Sequence, residues 1–239
     1  MSTRIPVLLR VAGELTIIVV GVLIALWVDT LAEDRRDRAQ EEAYLAGILS
    51  DLGTDSLGLE DRRATAQRGL DVADRLLALR RNAALDPPAD SLAVWLFRAA
   101  FVDNFQPLDH TYREILGAGG LSRLSDEALR RKISGYYRSI ASADFFTDWY
   151  KEEESDYWDL LANRLHPDDF EAVSRSERGG QRLDPTRVLR QLRSDDELVN
   201  AILMNRHWTD LRLGITGRRL AANHDLAEAL RDGLTRLGG

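Results

Sequence analysis

Residues 11–31 read VAGELTIIVVGVLIALWVDTL, and the interpretation of the whole chain depends on this stretch. As an α-helix it reaches about 31 Å, at about 1.5 Å of rise per residue. That length is close to the roughly 30 Å hydrocarbon core of a bilayer. Glu14 is the one charge before Asp29, and the apolar run then passes directly into charged sequence without a small-residue cleavage site. The stretch therefore predicts a retained transmembrane helix.

This helix divides the chain into four predicted parts. Residues 1–10 form a short tail, 11–31 the membrane span, 32–82 a helical stalk and 83–239 a helical bundle. The stalk keeps apolar residues at three- and four-residue spacing, namely Ala39, Ala43, Leu45, Ile48, Leu49 and Leu52. We expect the stalk to continue the anchor and to pack into the bundle, with a looser turn near Gly53.

Start and stop signals predict several helices beyond the stalk. The expected N-caps are Asp90, Asp109, Ser125 and Ser194. The helix after Ser125 is expected to run to Pro167 with a bend near Ala143, and Ser194 with Glu197 forms a capping box before the last helix. The polar residues 176–185 are the expected loop, and no segment alternates as a strand would. The predicted fold is all-α: one N-terminal transmembrane helix continuing into a stalk and an antiparallel helical bundle.

Composition excludes several classes of function. The formal net charge is −7, which argues against nucleic acid as a partner. The chain has no cysteine, so disulfides, zinc–thiolate sites and iron–sulfur clusters are excluded. Compartment must therefore be inferred from the anchor and not from cysteine usage.

One face of the predicted anchor has the composition of a helix-packing surface. At about 100° per residue, one line along the helix collects Arg10, Glu14, Ile18, Gly21, Ala25 and Val28. Small residues at Gly21 and Ala25 let two helix backbones approach closely, and a polar group such as Glu14 finds a partner away from lipid. Three interpretations of Glu14 stay open: pairing with Arg10 at the membrane surface, docking onto another subunit, and an ion or proton pathway.

An aromatic cluster in the second half of the chain has two interpretations. The candidate partner surface consists of Trp149, Tyr150, Tyr157 and Trp158. These side chains either contact a partner or the membrane, or fill the core of the bundle. The acidic run 151–156 is expected to be a solvated helix face, with a weak cation site as the alternative.

We find no pattern that predicts catalysis or metal binding. The four histidines lack ligand spacing, and no nucleophile elbow, phosphate-binding loop or cysteine nucleophile is present. Asp168, Asp169 and Glu171 follow His166 and are expected to complement a helix N-terminus rather than to bind a cation. The sequence predicts a non-enzymatic protein without catalytic residues, metal or cofactor.

Two segments carry a recognisable pattern. Residues 11–52 contain the pair Gly13–Glu14, followed by an apolar run that includes residues 21–26, which read GVLIAL. Residues 110–137 read HTYREILGAGGLSRLSDEALRRKISGYY, with a Thr-Tyr pair before a Gly-bearing turn and a helix ending in paired tyrosines. Together they resemble a bacterial family of uncharacterised single-pass membrane proteins, although residues 29–31 depart from its usual Asn, Asn and Trp. The resemblance implies a membrane anchor and a helical body, and it supplies no activity.

These observations favour an accessory or scaffold subunit of a larger membrane complex, such as a respiratory, photosynthetic or transport complex. The alternative is a self-associating sensor whose helical bundle binds a ligand. The expected partners are the lipid bilayer and other membrane-protein subunits, or a second copy, through the transmembrane helix. The expected location is a bacterial inner membrane, with the ten-residue tail in the cytoplasm and the C-terminal bundle in the periplasm.

Overall fold

The computed structural model describes residues 5–82, 84–99, 106–143, 145–176 and 182–238, and the side chains of these ranges except those of 5–14, 16–18, 142, 143 and 145–154. Within these ranges the chain is helical without a strand, which confirms the all-α prediction. The α-helices are α1 Ile5–Arg81, α2 Ala89–Ala99, α3 His110–Gly117, α4 Glu127–Ala143, α5 Phe145–Arg164, α6 Pro167–Ser174, α7 Pro185–Ser194 and α8 Asp196–Gly238. A 3-10 turn at Leu121–Arg123 joins α3 to α4.

Helix α1 is a single helix of 77 residues, about 115 Å long. The looser turn expected near Gly53 is absent from it, so that prediction was wrong. Leu52 and Leu59 are buried on either side of Gly53, and their packing holds the helix through this polar segment. Residues 41–81 of the predicted stalk thereby form one wall of the bundle.

The bundle has an up-down-up-down arrangement. Helix α8 runs antiparallel to α1, since Arg206 pairs with Asp74 while Asn223, further along α8, donates to the Leu52 carbonyl. From the end of α1 the chain returns towards residues 19–31 through α2 and α3. It then runs away from them again through α4 and α5. Helices α6 and α7 close the end furthest from residues 19–31. Helix α4 ends at Ala143, near the expected bend, and α5 begins at Phe145; residue 144 lies outside the described residues.

Two apolar clusters form the core. The proximal core, nearer to residues 19–31, consists of Tyr44, Leu45, Ile48, Leu52, Ile115, Leu124, Leu129, Ile133, Tyr136, Tyr137, Ile140, Leu226, Ala227 and Leu230. The distal core joins α1 residues 72–79 to α2, α5, α6, α7 and the start of α8. Each cluster draws on apolar residues at three- and four-residue spacing along its helices, which is why the pattern indicated amphipathic helices.

The structure corrects all four predicted N-caps. Asp90 lies inside the first turn of α2, which begins at Ala89. Helix α4 is capped by Asp126, whose carboxylate accepts from the amides of Ala128 and Leu129. These bonds, led by that of the Leu129 amide, hold the pKa of Asp126 below its usual range. Ser125 instead donates its amide and its hydroxyl to Glu41 on α1, at 2.7 and 2.9 Å.

The last two corrections concern α8 and α3. Asp195 caps α8 by accepting from the Glu197 and Leu198 amides, because Ser194 is still helical as the last residue of α7. Asp109 precedes α3 without a side-chain capping bond, and its carboxylate accepts from Arg113 at 2.6 Å. Asp51 of α1 instead accepts from the Thr111 amide in the first turn of α3.

Among the described residues, no helix carries an apolar stretch long enough to cross a membrane. The predicted span 11–31 lies partly outside them, because the side chains of 11–14 and 16–18 are not described.

Candidate functional site

Residues 19–31 of α1, which precede the bundle, expose apolar side chains on every side of the helix. All residues from Val19 to Leu31 are exposed, including Leu23 at 59%, Trp27 at 65% and Val28 at 53%. Leu15 is also exposed, at 62%. A helix that is apolar all round is typical of one buried in a large core or in a membrane.

The predicted packing face of the anchor continues along α1 into the bundle. At about 100° per residue, the positions within about 40° of Gly21 are nearly all small. They are Gly21, Ala25, Val28, Ala32, Arg35, Ala39, Ala43, Ala46, Ser50, Gly53 and Leu57, so one charged residue interrupts the line. Ala32 is half-buried and the others are exposed, with Leu57 at 70%. We call this set the uncovered face of α1; it is about 54 Å long.

The remaining predicted residues of this face are not placed. Arg10, Glu14 and Ile18 lie outside the residues whose side chains the structure describes. At Gly21 and Gly53, an added Cβ would meet no atom within 4 Å. The bundle packs on the opposite side of α1, through Leu45, Ile48 and Leu52.

The segments 11–52 and 110–137 contact each other. Glu41 on α1 accepts from Ser125, and the Arg123 guanidinium donates to Gln40 at 3.2 Å. Further along, Gly47 lies so close to Thr111 that an added Cβ would come within 2.7 Å of its methyl group. The residues of the second segment therefore pack on the first.

A buried polar cluster lies where α1 meets α3 and α4. Asp55 is only 3% exposed, and its Oδ1 accepts from the amide of Leu108 at 2.9 Å. Asp51, one turn earlier, accepts from the amide of Thr111 at 3.2 Å. Asp51 thus satisfies an amide in the first turn of α3, a donor that a helix leaves without an intrahelical partner, and Asp55 satisfies an amide just before that helix.

Asp55 is an unusual carboxyl group. The pKa of Asp55 is raised from 3.8 to about 6, chiefly by burial. The bond from the Leu108 amide lowers this pKa, and the charges of Asp51 and Asp109 raise it; the value of about 6 includes all of these effects. Its Oδ2 has no hydrogen-bond partner among the described residues, and neither has the buried hydroxyl of Tyr137. Buried polar groups without partners are rare, and they cost stability.

Tyrosines complete the cluster. Tyr137 stacks on Tyr112 with ring centroids 4.1 Å apart, and Tyr136 accepts from the side-chain amide of Asn223 at 3.3 Å. Burial raises the pKa of Tyr136 to about 12 and that of Tyr137 further. Both hydroxyls therefore stay protonated at neutral pH.

Sequence reasoning missed Asp51 and Asp55. A signal was present for Asp55, because it falls within the apolar series Ile48, Leu52 and Leu59 at helical spacing. A charged residue on the buried face of an amphipathic helix is a candidate for a buried carboxylate. The hydrogen-bond partners could not be read from the sequence, since they belong to a segment more than 50 residues away.

The aromatic cluster is divided between the core and residues that are not described. Tyr157 is 2% exposed and donates its hydroxyl to the Leu96 carbonyl at 3.0 Å, so its side chain lies in the distal core. Trp158 is half-buried and makes edge contacts with Phe97, Tyr157 and Phe170. The side chains of Trp149 and Tyr150 lie outside the described residues, as does most of the acidic run 151–156.

The carboxylates after His166 serve the distal end of the bundle. Asp168 and Asp169 lie in the first turn of α6, as expected for charge complementation, and the His166 ring accepts from the Asp168 amide. Asp169 is 1% exposed and accepts from the Asp184 amide and from the guanidinium of Arg187. It therefore ties α6 to α7.

In the part of the chain that the structure describes, no group of three histidine, aspartate or glutamate residues is arranged to hold a metal ion. Comparison of the chain with protein-family models, with curated proteins and with solved structures finds no match in any of the three.

Proposed function

We propose that this chain is a non-enzymatic, single-pass membrane protein that docks onto other subunits of a membrane complex along the uncovered face of α1. Residues 11–31 form the anchor in this proposal, and α1 carries the same face from the anchor into the bundle. The resemblance to single-pass membrane proteins, drawn from residues 11–52 and 110–137, agrees with it.

One observation carries the proposal: the bundle leaves the predicted packing face free over its whole described length. Apart from Val28 and Arg35 the positions from Gly21 to Gly53 are small, so a second helix can approach at short interaxial distance on either side of Arg35. Leu57, a large apolar side chain at 70% exposure, lies at the far end of the same line. A helix laid against this face would contact the anchor and the bundle together.

The test uses the full chain in native membranes, solubilised in mild detergents. Gly21→Leu and Ala46→Leu place bulk on the uncovered face, and both should reduce co-migration with partner polypeptides in native gels. Leu23→Ala and Ala222→Leu are the matched controls, because Leu23 faces away from the line and Ala222 is an exposed residue of α8. Equal losses from variants and controls would contradict docking along this face.

A self-associating sensor is the second candidate, and the uncovered face also favours it. Two copies in one membrane present identical small-residue faces in parallel, which is the geometry of a two-fold interface. A complex that contains only this chain, well above its mass of 26.9 kDa, would support this candidate over the accessory subunit. Other polypeptides in fixed stoichiometry would support the accessory subunit.

Orientation is proposed as tail inside and bundle in the periplasm. The chain has no cysteine, so a single Ser174→Cys substitution on an exposed residue gives a unique thiol. A membrane-impermeant thiol reagent that crosses the outer envelope should label it in intact cells. Labelling only after the inner membrane is broken would reverse the orientation.

A further inference from the structure

Helix α1 holds the segment Gln106–Gly117 through two carboxylates and a tight backbone contact. Asp55 accepts from the Leu108 amide, Asp51 accepts from the Thr111 amide, and Thr111 lies against Gly47. Ile115 anchors the same segment in the proximal core. The polar part of this attachment therefore depends on two carboxylates, of which Asp55 is buried and Asp51 is half-buried.

The charged and titratable groups around Asp55 do little to offset the cost of burying its negative charge. Asp51 precedes it on α1, and Asp109 at the start of α3 is already paired with Arg113. Helix α4 contributes Tyr136 and Tyr137. From α8, Arg219 acts on Tyr136, and His224 bonds to Ser56 beside Asp55. No ion pair to Asp55 or Asp51 occurs among the described residues.

The ionised form of Asp55 is therefore destabilised in the folded bundle. Its Oδ2 is buried without a donor, and the unpartnered Tyr137 hydroxyl is buried in the same cluster. A neutral carboxyl keeps an oxygen that accepts from the Leu108 amide, and it removes the charge from the neighbourhood of Asp51 and Asp109. An ionised carboxylate gains water only when the segment covering it moves away.

We propose that Asp55 is a proton-operated latch, which holds the segment Gln106–Gly117 on α1 while its carboxyl group is neutral and lets the segment loosen when that group ionises. The inference concerns the bundle alone and goes beyond docking along the uncovered face.

The size and sign of the effect follow from linkage. The pKa of Asp55 is about 6 with the segment in place, and it returns toward the ordinary 3.8 when the group reaches water. The closed state thus binds the proton more tightly and is favoured at low pH. As pH rises from about 4 to above 6, the ratio of open to closed forms should increase by about 100-fold.

Hydrogen exchange read by mass spectrometry tests the latch on the full chain in lipid nanodiscs. Peptides covering residues 106–117 are compared at pH 4.5 and pH 7.5 after correction for intrinsic exchange rates. We expect protection in these peptides to fall by a factor of tens between the two pH values. We expect Asp55→Asn to keep high protection at both, because an amide cannot ionise but still accepts from Leu108.

Asp169→Asn is the matched control, a buried carboxylate replaced at the other end of the bundle. It should leave the pH dependence of residues 106–117 unchanged. A pH titration of the original chain, which needs no variant, should give a midpoint near 6. Equal protection at the two pH values, a midpoint below 4.5, or an unchanged pH dependence in Asp55→Asn would each overturn the latch.

Discussion

Asp55 and Asp169 are both buried aspartates, and they differ in what faces them. Asp169 is 1% exposed and meets the Arg187 guanidinium at 2.5 Å. Burial alone would raise its pKa, but the bonds from Arg187 and from the Asp184 amide outweigh burial and lower it. Asp55 is 3% exposed, accepts from one amide and faces Asp51, so its pKa rises to about 6. The two carboxyl groups are buried to a similar degree, but the pKa of Asp169 is lowered and that of Asp55 is raised. The difference arises because Asp169 has a neighbouring cation and Asp55 has none.

The largest expected effect comes from removing that cation. Arg187→Met keeps the aliphatic stem and leaves Asp169 buried without its partner. We expect a clear loss of stability at pH 7.5, larger than the effect of any variant below, because Asp169 is left buried without its cation. Urea unfolding of the full chain in a mild detergent measures it. Arg190→Met, an exposed arginine of α7, is the control and should change stability little.

Asp55→Asn should have the opposite sign. The folded state holds Asp55 with a raised pKa, so its ionisation destabilises the fold as pH rises through about 4 to 6. The amide variant should therefore be more stable by about 2 kcal/mol at pH 7.5. The gain should shrink as pH falls from 6 and disappear only below the ordinary pKa of 3.8, where Asp55 is neutral in both the folded and the unfolded chain. A variant that is less stable than the original chain at pH 7.5 would contradict this account.

A smaller effect is expected at the neighbouring hydroxyl. Tyr137→Phe removes a buried donor that has no partner among the described residues and keeps the ring that stacks on Tyr112. We expect a gain of about 0.5 kcal/mol, since deleting an unpaired buried polar group is neutral or stabilising. Thermal unfolding at pH 7.5 measures the change. A clear loss would show that the hydroxyl has a partner in solution.

The smallest effect concerns the charge next to Asp55. Asp51→Asn keeps an acceptor for the Thr111 amide and removes one like charge. The pH midpoint of protection in residues 106–117 should fall by less than about one pH unit. Asp109→Asn should lower it less, because Arg113 already neutralises Asp109. The reverse order of these two variants would show that Asp109 is the more important neighbour.

The sequence predicted the helices better than their ends. Apolar spacing around Ile48, Leu129 and Leu226 was enough to indicate amphipathic helices, since packing of one face dominates helix stability. Caps were harder, because a hydroxyl and a carboxylate side by side at Ser125 and Asp126 are both good caps. The choice between them depends on Glu41, which binds Ser125 from a distant part of the chain.

The candidate site was predictable to a similar degree. Gly21 and Ala25, together with Glu14, predict a packing face, and a helical wheel extended past Ala32 carries the same line through Arg35 to Leu57. The sequence could not show which side of α1 the bundle covers. That depends on tertiary contacts of Leu45 and Leu52 with α4 and α8.

The continuity of α1 has a mechanical consequence. From Leu31 to Arg81 the helix extends about 75 Å, and it forms a wall of the bundle from residue 41 onward. In the proposed membrane setting it acts as a lever with its pivot at the bilayer surface. A 10° change in the tilt of the anchor would carry the distal core sideways by about 13 Å. Transmembrane helices tilt by about 20° on average, depending on bilayer thickness. The thickness of the host membrane would therefore set how far to one side of its anchor the distal end of this molecule lies.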